Sequence, residues 1–203
     1  MRRCLSGSTG GSGDRPMFSL SKPNRSEIDA FLLMAASDVF SYPDVGASLS
    51  LPPNGYTVDH NRLKFGEGIA DWTRAKQAIR SWKMFDFDWV ELCWTDTRIE
   101  AGRNVAILVS HFGFYSLNAA RIAYAVDKPE RFGFAYGTLN AHGESGEERF
   151  TVEMDAGTGE VWYDLFAFSR PNHTLARLGY PLTRYLQKRF AADSMEAMQR
   201  AVK

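Results

Sequence analysis

Cysteine is nearly absent from this 203-residue chain, which has only Cys4 and Cys93. Cys4 falls in a Ser/Gly-rich stretch and Cys93 in a strand-like run. A structural disulfide between them is not expected, and neither has the CxxC neighbour that a zinc site needs. A reducing, cytoplasmic setting fits best. An excess of one charge is also lacking, since 24 Lys+Arg balance 24 Asp+Glu. Without a basic excess there is no electrostatic footprint for nucleic acid, nor a polybasic attraction to a membrane surface. No run approaches the ~18 consecutive apolar residues of an integral membrane segment. Met1-Arg2-Arg3 is not followed by the apolar stretch of a signal peptide, so the chain is expected to act whole, inside the cell. Its 4 histidines are dispersed, with no i, i+4 pair on a helix, and neither a metal nor a resident cofactor is expected. Nucleophile signals are missing too: there is no G-x-S-x-G elbow and no cysteine with an obvious histidine partner.

Large rings, by contrast, are plentiful. The chain holds 14 Phe, 8 Tyr and 5 Trp within an ordinary globular composition of 44% hydrophobic and 24% charged residues. Rings of this size fill wide spaces between a sheet and a helix, and they also line apolar pockets.

Residues 1–16 include a Ser/Gly/Thr-rich stretch that cannot bury enough surface to offset the entropy of ordering, and they are expected to be a flexible tail before one domain spanning 17–203. A helix is expected from Ser26, with acids in its first turn, ending before Tyr42-Pro43. A short strand over Tyr56–Phe65 is broken by Gly66-Glu67-Gly68. A helix follows from Asp71 to about Met84, with Trp72, Ala75, Ile79 and Trp82 on one face. Gly66-x-Gly68 lacks the remaining spacing of a phosphate loop and reads as the tight turn into that helix. Six strand-like runs come next: Phe87–Thr95, Arg103–His111, Ser116–Asp127, Arg131–Leu139, Glu147–Met154 and Glu160–Phe168. The short connections between them imply an antiparallel meander. Pro171 to Thr174 opens a last helix carrying Leu175, Leu178, Leu182, Leu186 and Phe190, with a kink or broken turn expected at Gly179-Tyr180-Pro181. Its polar face carries Arg177, Arg184, Lys188, Arg189 and Arg200. The fold class is therefore α+β: a seven-stranded antiparallel sheet wrapped around a long C-terminal helix.

This order of elements resembles the helix-grip fold of the START-like, or Bet v 1-like, superfamily. More narrowly, the chain resembles a bacterial and plant family named as domain of unknown function nineteen-ninety. The resemblance rests on Gly55-Tyr56, Phe65-Gly66-Glu67-Gly68, the run Arg131 to Leu139 that reads RFGFAYGTL, His142, Gly146 to Phe150 that reads GEERF, and Phe166 to Pro171 that reads FAFSRP. It extends from about Ser41 to Lys203 and implies the fold. For function it implies only that members of this superfamily tend to bind apolar ligands.

The hairpin from Gly137 to Glu148 carries the most suggestive chemistry. His142 with Glu144, Glu147 and Glu148 is a set that could bind a metal or run acid–base chemistry, although a solvated turn is the plainer reading. Strand alternation puts Glu148 on the face of Phe150, Val152 and Met154. If that face is the core, Glu148 is an inward carboxylate needing a partner, for which His142 or an arginine is a candidate, while Glu147 points to solvent. Arg121 reads as outward, with a carboxylate-binding role in a pocket as the alternative. Asp164 and Trp162 share a face with Phe166 and Phe168, but the opposite face of that strand is equally apolar. His111, His60 and His173 read as strand-end, loop and helix-start residues. Tyr136 is a candidate pocket wall. The leading expectation is a non-catalytic binding protein for a small apolar or amphipathic molecule, with Tyr136, His142, Glu148, Arg121, Trp162 and Asp164 as candidate ligand-binding residues. An enzyme of the cyclase, dehydratase or hydrolase kind using His142 and Glu148 is one alternative, and a protein-interaction module is another.

Overall fold

Alternating apolar residues in consecutive runs force hairpins, and the computed structural model shows one antiparallel sheet built from them. It describes residues 17–94, 96–140, 142, 144–172 and 180–203. The strands are β1 (Met17–Ser19), β2 (Thr57–Glu67), β3 (Val90–Cys93), β4 (Asn104–His111), β5 (Phe114–Lys128), β6 (Arg131–Thr138), β7 (Glu144–Met154) and β8 (Glu160–Pro171). The helices are α1 (Arg25–Ala35), α2 (Gly68–Arg80) and α3 (Tyr180–Val202). The sheet order is β2-β8-β7-β6-β5-β4-β3, so the first and last strands of the path are the two edges. The seven expected strands are all present. An eighth, β1, pairs with the start of β5, Met17 opposite Leu117 and Ser19 opposite Tyr115. Three residues carry too little periodicity to announce a strand.

The sheet curls around α2 and α3 in the helix-grip arrangement. On the inner face, Trp82, Met84, Phe134, Phe150, Tyr163 and Met198 are almost wholly buried. Each such side chain contributes about 1.5–3 kcal/mol on leaving water. Trp72, Ala75, Ile79 and Trp82 form the inward stripe of α2 and the turn after it, as their spacing predicts. The Gly66-Glu67-Gly68 turn is tight: a Cβ on Gly66 would overlap the Asp71 carboxylate, which accepts from the Glu67 N–H at 2.9 Å.

The outer face is covered as well. Ile28, Phe31 and Ala35 of α1 pack on Ala106, Leu108, Leu117 and Ala119. Tyr42, Phe166 and Phe168 form a third cluster. Both faces of β8 are apolar because both are buried, which is why alternation alone left its orientation open. The inward set is Val161, Tyr163 and Leu165. A bulge at Ala123, where the β5–β6 register shifts between Ile122 and Tyr124, turns Tyr124 to the outer face. Its hydroxyl meets Ser48 Oγ there at 2.6 Å. Simple alternation groups Tyr124 with Ala120 and Ile122; the extra residue separates them.

The helix boundaries shift from the expected ones. Asn24, not Ser26, caps α1: its side chain accepts from the Glu27 N–H while Glu27 accepts from the Asn24 N–H, a capping box. The helix stops at Ala35, well short of Tyr42. Pro171 belongs to β8, opposite Glu144, so the strand runs through the position expected to open the last helix. Among the described residues α3 begins at Tyr180, and the kink or broken turn expected at Gly179-Tyr180-Pro181 involves Gly179, which lies outside them. Residues 1–16, His173 to Gly179 and the first turn expected there lie outside the described residues. Among those described, no helix is long and apolar enough to cross a membrane.

Candidate functional site

A sheet gripping a helix cannot fit it equally well along its length. The second half of α3 seats Ala197, Met198 and Val202 in the core. The first half stands off, and a cavity of about 390 Å³ lies between it and the inner sheet face. Val90, Ile107, Val109, Leu165, Leu186 and Phe190 supply apolar walls.

Glu148 is the buried polar group of that cavity. It points inward with Phe150 and Val152, and its Oε2 accepts from the Tyr136 hydroxyl at 2.5 Å. Burial pushes its carboxyl up to about 7, with the charge of Asp59 adding to the rise and the Tyr136 hydrogen bond opposing it. The Tyr136 hydroxyl is held far above its ordinary range by burial and by Glu148. Glu148 lies deep in the molecule yet keeps some accessible surface, because it faces the cavity.

A hydrogen-bonded rim joins the sheet to α3. Arg184 clamps Asp59 of β2 through two bonds of 2.6 Å and donates to Gln187 Oε1 at 2.6 Å. Gln187 Nε2 donates to Ser169 Oγ at 2.9 Å and to Glu144 Oε2 at 3.3 Å. Glu144 Oε1 is buried without a partner among the described residues, and burial raises this carboxyl. His142 Nδ1 accepts from the Glu144 N–H at 3.0 Å. Burial pushes the His142 imidazole down to about 4, so it is neutral at physiological pH with its proton on Nε2. Across the cavity, His111 Nε2 lies 3.3 Å from Ser116 Oγ, and burial lowers its pKa too.

The expected site residues thus divide. Tyr136, His142 and Glu148 line the cavity, and the inward direction of Glu148 agrees with strand alternation. The partner of Glu148 is Tyr136, however, and no hydrogen bond joins it to His142. Arg121, Trp162 and Asp164 are outside the cavity. The Arg121 guanidinium donates to the carbonyls of Ala35 (3.1 Å), Ala36 (3.1 Å) and Asp38 (2.8 Å), closing the C-terminal end of α1. Asp164 is buried on the outer face with Arg149 at 2.7 Å, His60 at 2.7 Å and Arg62 at 3.2 Å. Trp162 lies beneath Arg62, 5.0 Å from ring centroid to guanidinium. Glu147 reverses its expected position most sharply: it is 2% exposed. Its carboxylate accepts from Tyr42 Oη (2.6 Å), the Gly46 N–H (2.7 Å), the Ser48 N–H (3.0 Å) and Ser48 Oγ. The loop over residues 42–48 thereby becomes a lid on the outer sheet face. Asp59 and Gln187 were missed by sequence reasoning, while Glu144 was singled out only as part of the hairpin set. Asp59 alternates with Asn61 and Leu63 along β2, a polar-to-apolar gradient that marks the rim end of an inward face. Among the described residues, no three His, Cys, Asp or Glu side chains converge to hold a metal.

Residues 41–197 match the model of the family described as Domain of unknown function (DUF1990). The chain belongs to this family. A UPF0548 protein of Deinococcus radiodurans is 39% identical over 197 residues, covering 91% of this chain and 98% of that one. A UPF0548 protein of Dictyostelium discoideum is 34% identical over 207 residues, covering 92% and 96%. Among solved structures, a hypothetical protein of Helicobacter pylori superposes with TM-score 0.50 at 9% identity, covering 82% of this chain and 97% of that one. Identity that low speaks to fold alone. The DUF1990 match takes in the loop that buries Glu147 as well as Tyr136, Glu148 and the cavity-lining half of α3.

Proposed function

We propose that this DUF1990 protein binds a small apolar or amphipathic molecule in the cavity between sheet and α3. The observation that carries the reading is the cavity itself. Its volume of about 390 Å³ falls within the roughly 300–1,000 Å³ of small-molecule sites. Apolar walls with a few convergent polar groups, chiefly Glu148 and Tyr136, match the usual composition of such sites. Native mass spectrometry of freshly purified protein, followed by titration with a lipid and metabolite panel, is the direct test. An adduct or uptake is expected, and Ala167→Trp, which fills the cavity from β8, should abolish it while the circular dichroism spectrum is retained. A blank panel, or uptake undiminished in Ala167→Trp, overturns the reading.

One observation favours a second reading. A carboxyl titrating near 7 inside a cavity, hydrogen-bonded to a tyrosine, is suited to general acid–base work. Turnover of any bound molecule that is lost in Glu148→Gln without loss of its binding would support this.

A further inference from the structure

We propose that the cavity takes an organic amine, its tail against the apolar walls and its ammonium group donating to the Glu148 carboxylate. This rests on the reading that the cavity binds a ligand, and it names the chemical class.

The charged side chains that line the cavity are all acids. Asp59, Glu144 and Glu148 face it, and among the described lining residues there is no lysine or arginine. Asp59 is neutralised by the two-pronged Arg184 contact, and Arg184 also acts at a distance on Glu144, whereas no cation among the described residues acts on Glu148. Glu148 has one donor, the neutral Tyr136 hydroxyl on Oε2, and its Oε1 accepts from no described residue. Glu144 is satisfied only by the neutral side chains of Gln187 and Ser169, and its Oε1 is buried without a partner among the described residues. A ligand carboxylate or phosphate would meet like charge here and find no cation to offset it. An ammonium group supplies what the cavity lacks: a positive charge and up to three donors. The groups facing Glu148 give an ammonium no competitor. They are Tyr136 from β6, Asp59 from β2 held by Arg184, and Tyr163 from β8, whose hydroxyl is taken up by Ser194 at 3.0 Å. The raised pKa of Glu148 is the counterpart of this geometry, since an acid deprived of a cation holds its proton.

The test uses three probes of nearly one shape: phenethylamine, phenethyl alcohol and phenylacetate, titrated calorimetrically into the whole protein. A charge-assisted hydrogen bond in place of a neutral one predicts that the amine binds roughly tenfold or more tighter than the alcohol, with phenylacetate weakest. Glu148→Gln should erase the preference of amine over alcohol. Should that variant fold poorly, the wild type gives the same information through pH. The amine preference must shrink as pH falls below about 7, where Glu148 gains its proton, while alcohol affinity stays level. Equal or tighter binding of the alcohol or phenylacetate overturns the amine assignment and leaves the cavity reading standing. No binding of any probe also overturns it, and the cavity reading falls too if the wider panel is blank.

Discussion

Replacing Glu147 by glutamine keeps the shape of the side chain but turns one acceptor oxygen into a donor. In the native protein Oε2 accepts from Tyr42 Oη at 2.6 Å and from the Gly46 N–H at 2.7 Å, while Oε1 accepts from the Ser48 N–H at 3.0 Å and from Ser48 Oγ. If the amide oxygen stays on Ser48, its NH2 group faces the Gly46 N–H, and two donors oppose each other in a buried site. The Tyr42 hydroxyl can rotate to accept instead, but the Gly46 bond is lost outright. A hydrogen bond to a charged group contributes about 1.5–3 kcal/mol, and the stranded buried donor costs about 1–3 kcal/mol more. Relief from desolvating a carboxylate offsets part of this, so the net loss is about 3 kcal/mol. For a chain of this size, each kcal/mol moves the melting temperature by about 2–4 °C. Glu147→Gln should therefore melt about 10 °C below wild type by circular dichroism. Tyr42→Phe alone should cost about 1–2 kcal/mol, and the double variant should cost less than the sum, because after Glu147→Gln only a weaker, neutral bond to Tyr42 is left for the second substitution to remove. A Glu147→Gln variant melting within about 2 °C of wild type, or strict additivity with Tyr42→Phe, would refute the idea that this carboxylate anchors the loop.

Other outcomes follow from the same physics. Burial tends to raise the Asp164 pKa, but the hydrogen bonds from His60 and Arg149 outweigh it and hold it below 3.8. Its contribution is then present above that pH and lost as pH falls through the depressed pKa, so the stability gap between wild type and Asp164→Asn should be level from neutral pH to about 4 and close below it. At neutral pH that gap should be about 3–5 kcal/mol by urea unfolding, because Arg149 is left buried without its partner. Glu148 has the opposite sign. Its folded pKa of about 7 lies above the ordinary 4.5, so wild-type stability declines as pH rises between those values, and Glu148→Gln should gain on wild type over that window in melts at several pH values. A Cβ on Gly137 would collide with the Tyr42 ring and the Phe40 ring, so Gly137→Ala should cost about 1–3 kcal/mol in thermal melts by forcing the segment carrying Tyr42 off the sheet.

Periodicity in the chain determined the seven main strands, the inward stripe of α2 and the face that Glu148 shares with Phe150 and Val152. All three follow from geometry local to one element: period two along a strand, and three to four along a helix. The RFGFAYGTL and GEERF strings also pointed to the family that residues 41–197 match. Periodicity says which residues share a face, but not what covers that face. Both sides of β8 are apolar, and only the packing of Tyr42 against Phe166 and Phe168 on one side and of the grip helices on the other separated them. Glu147 read as solvent-facing because its partners lie 99 to 105 residues away, in a loop with no pattern of its own. Arg121 and Asp164 likewise found their partners on the outer face, through elements distant in sequence. The cavity was equally out of reach of pattern. It exists because α3 seats firmly at its C-terminal half and stands off the sheet at its start, a matter of how two whole elements meet.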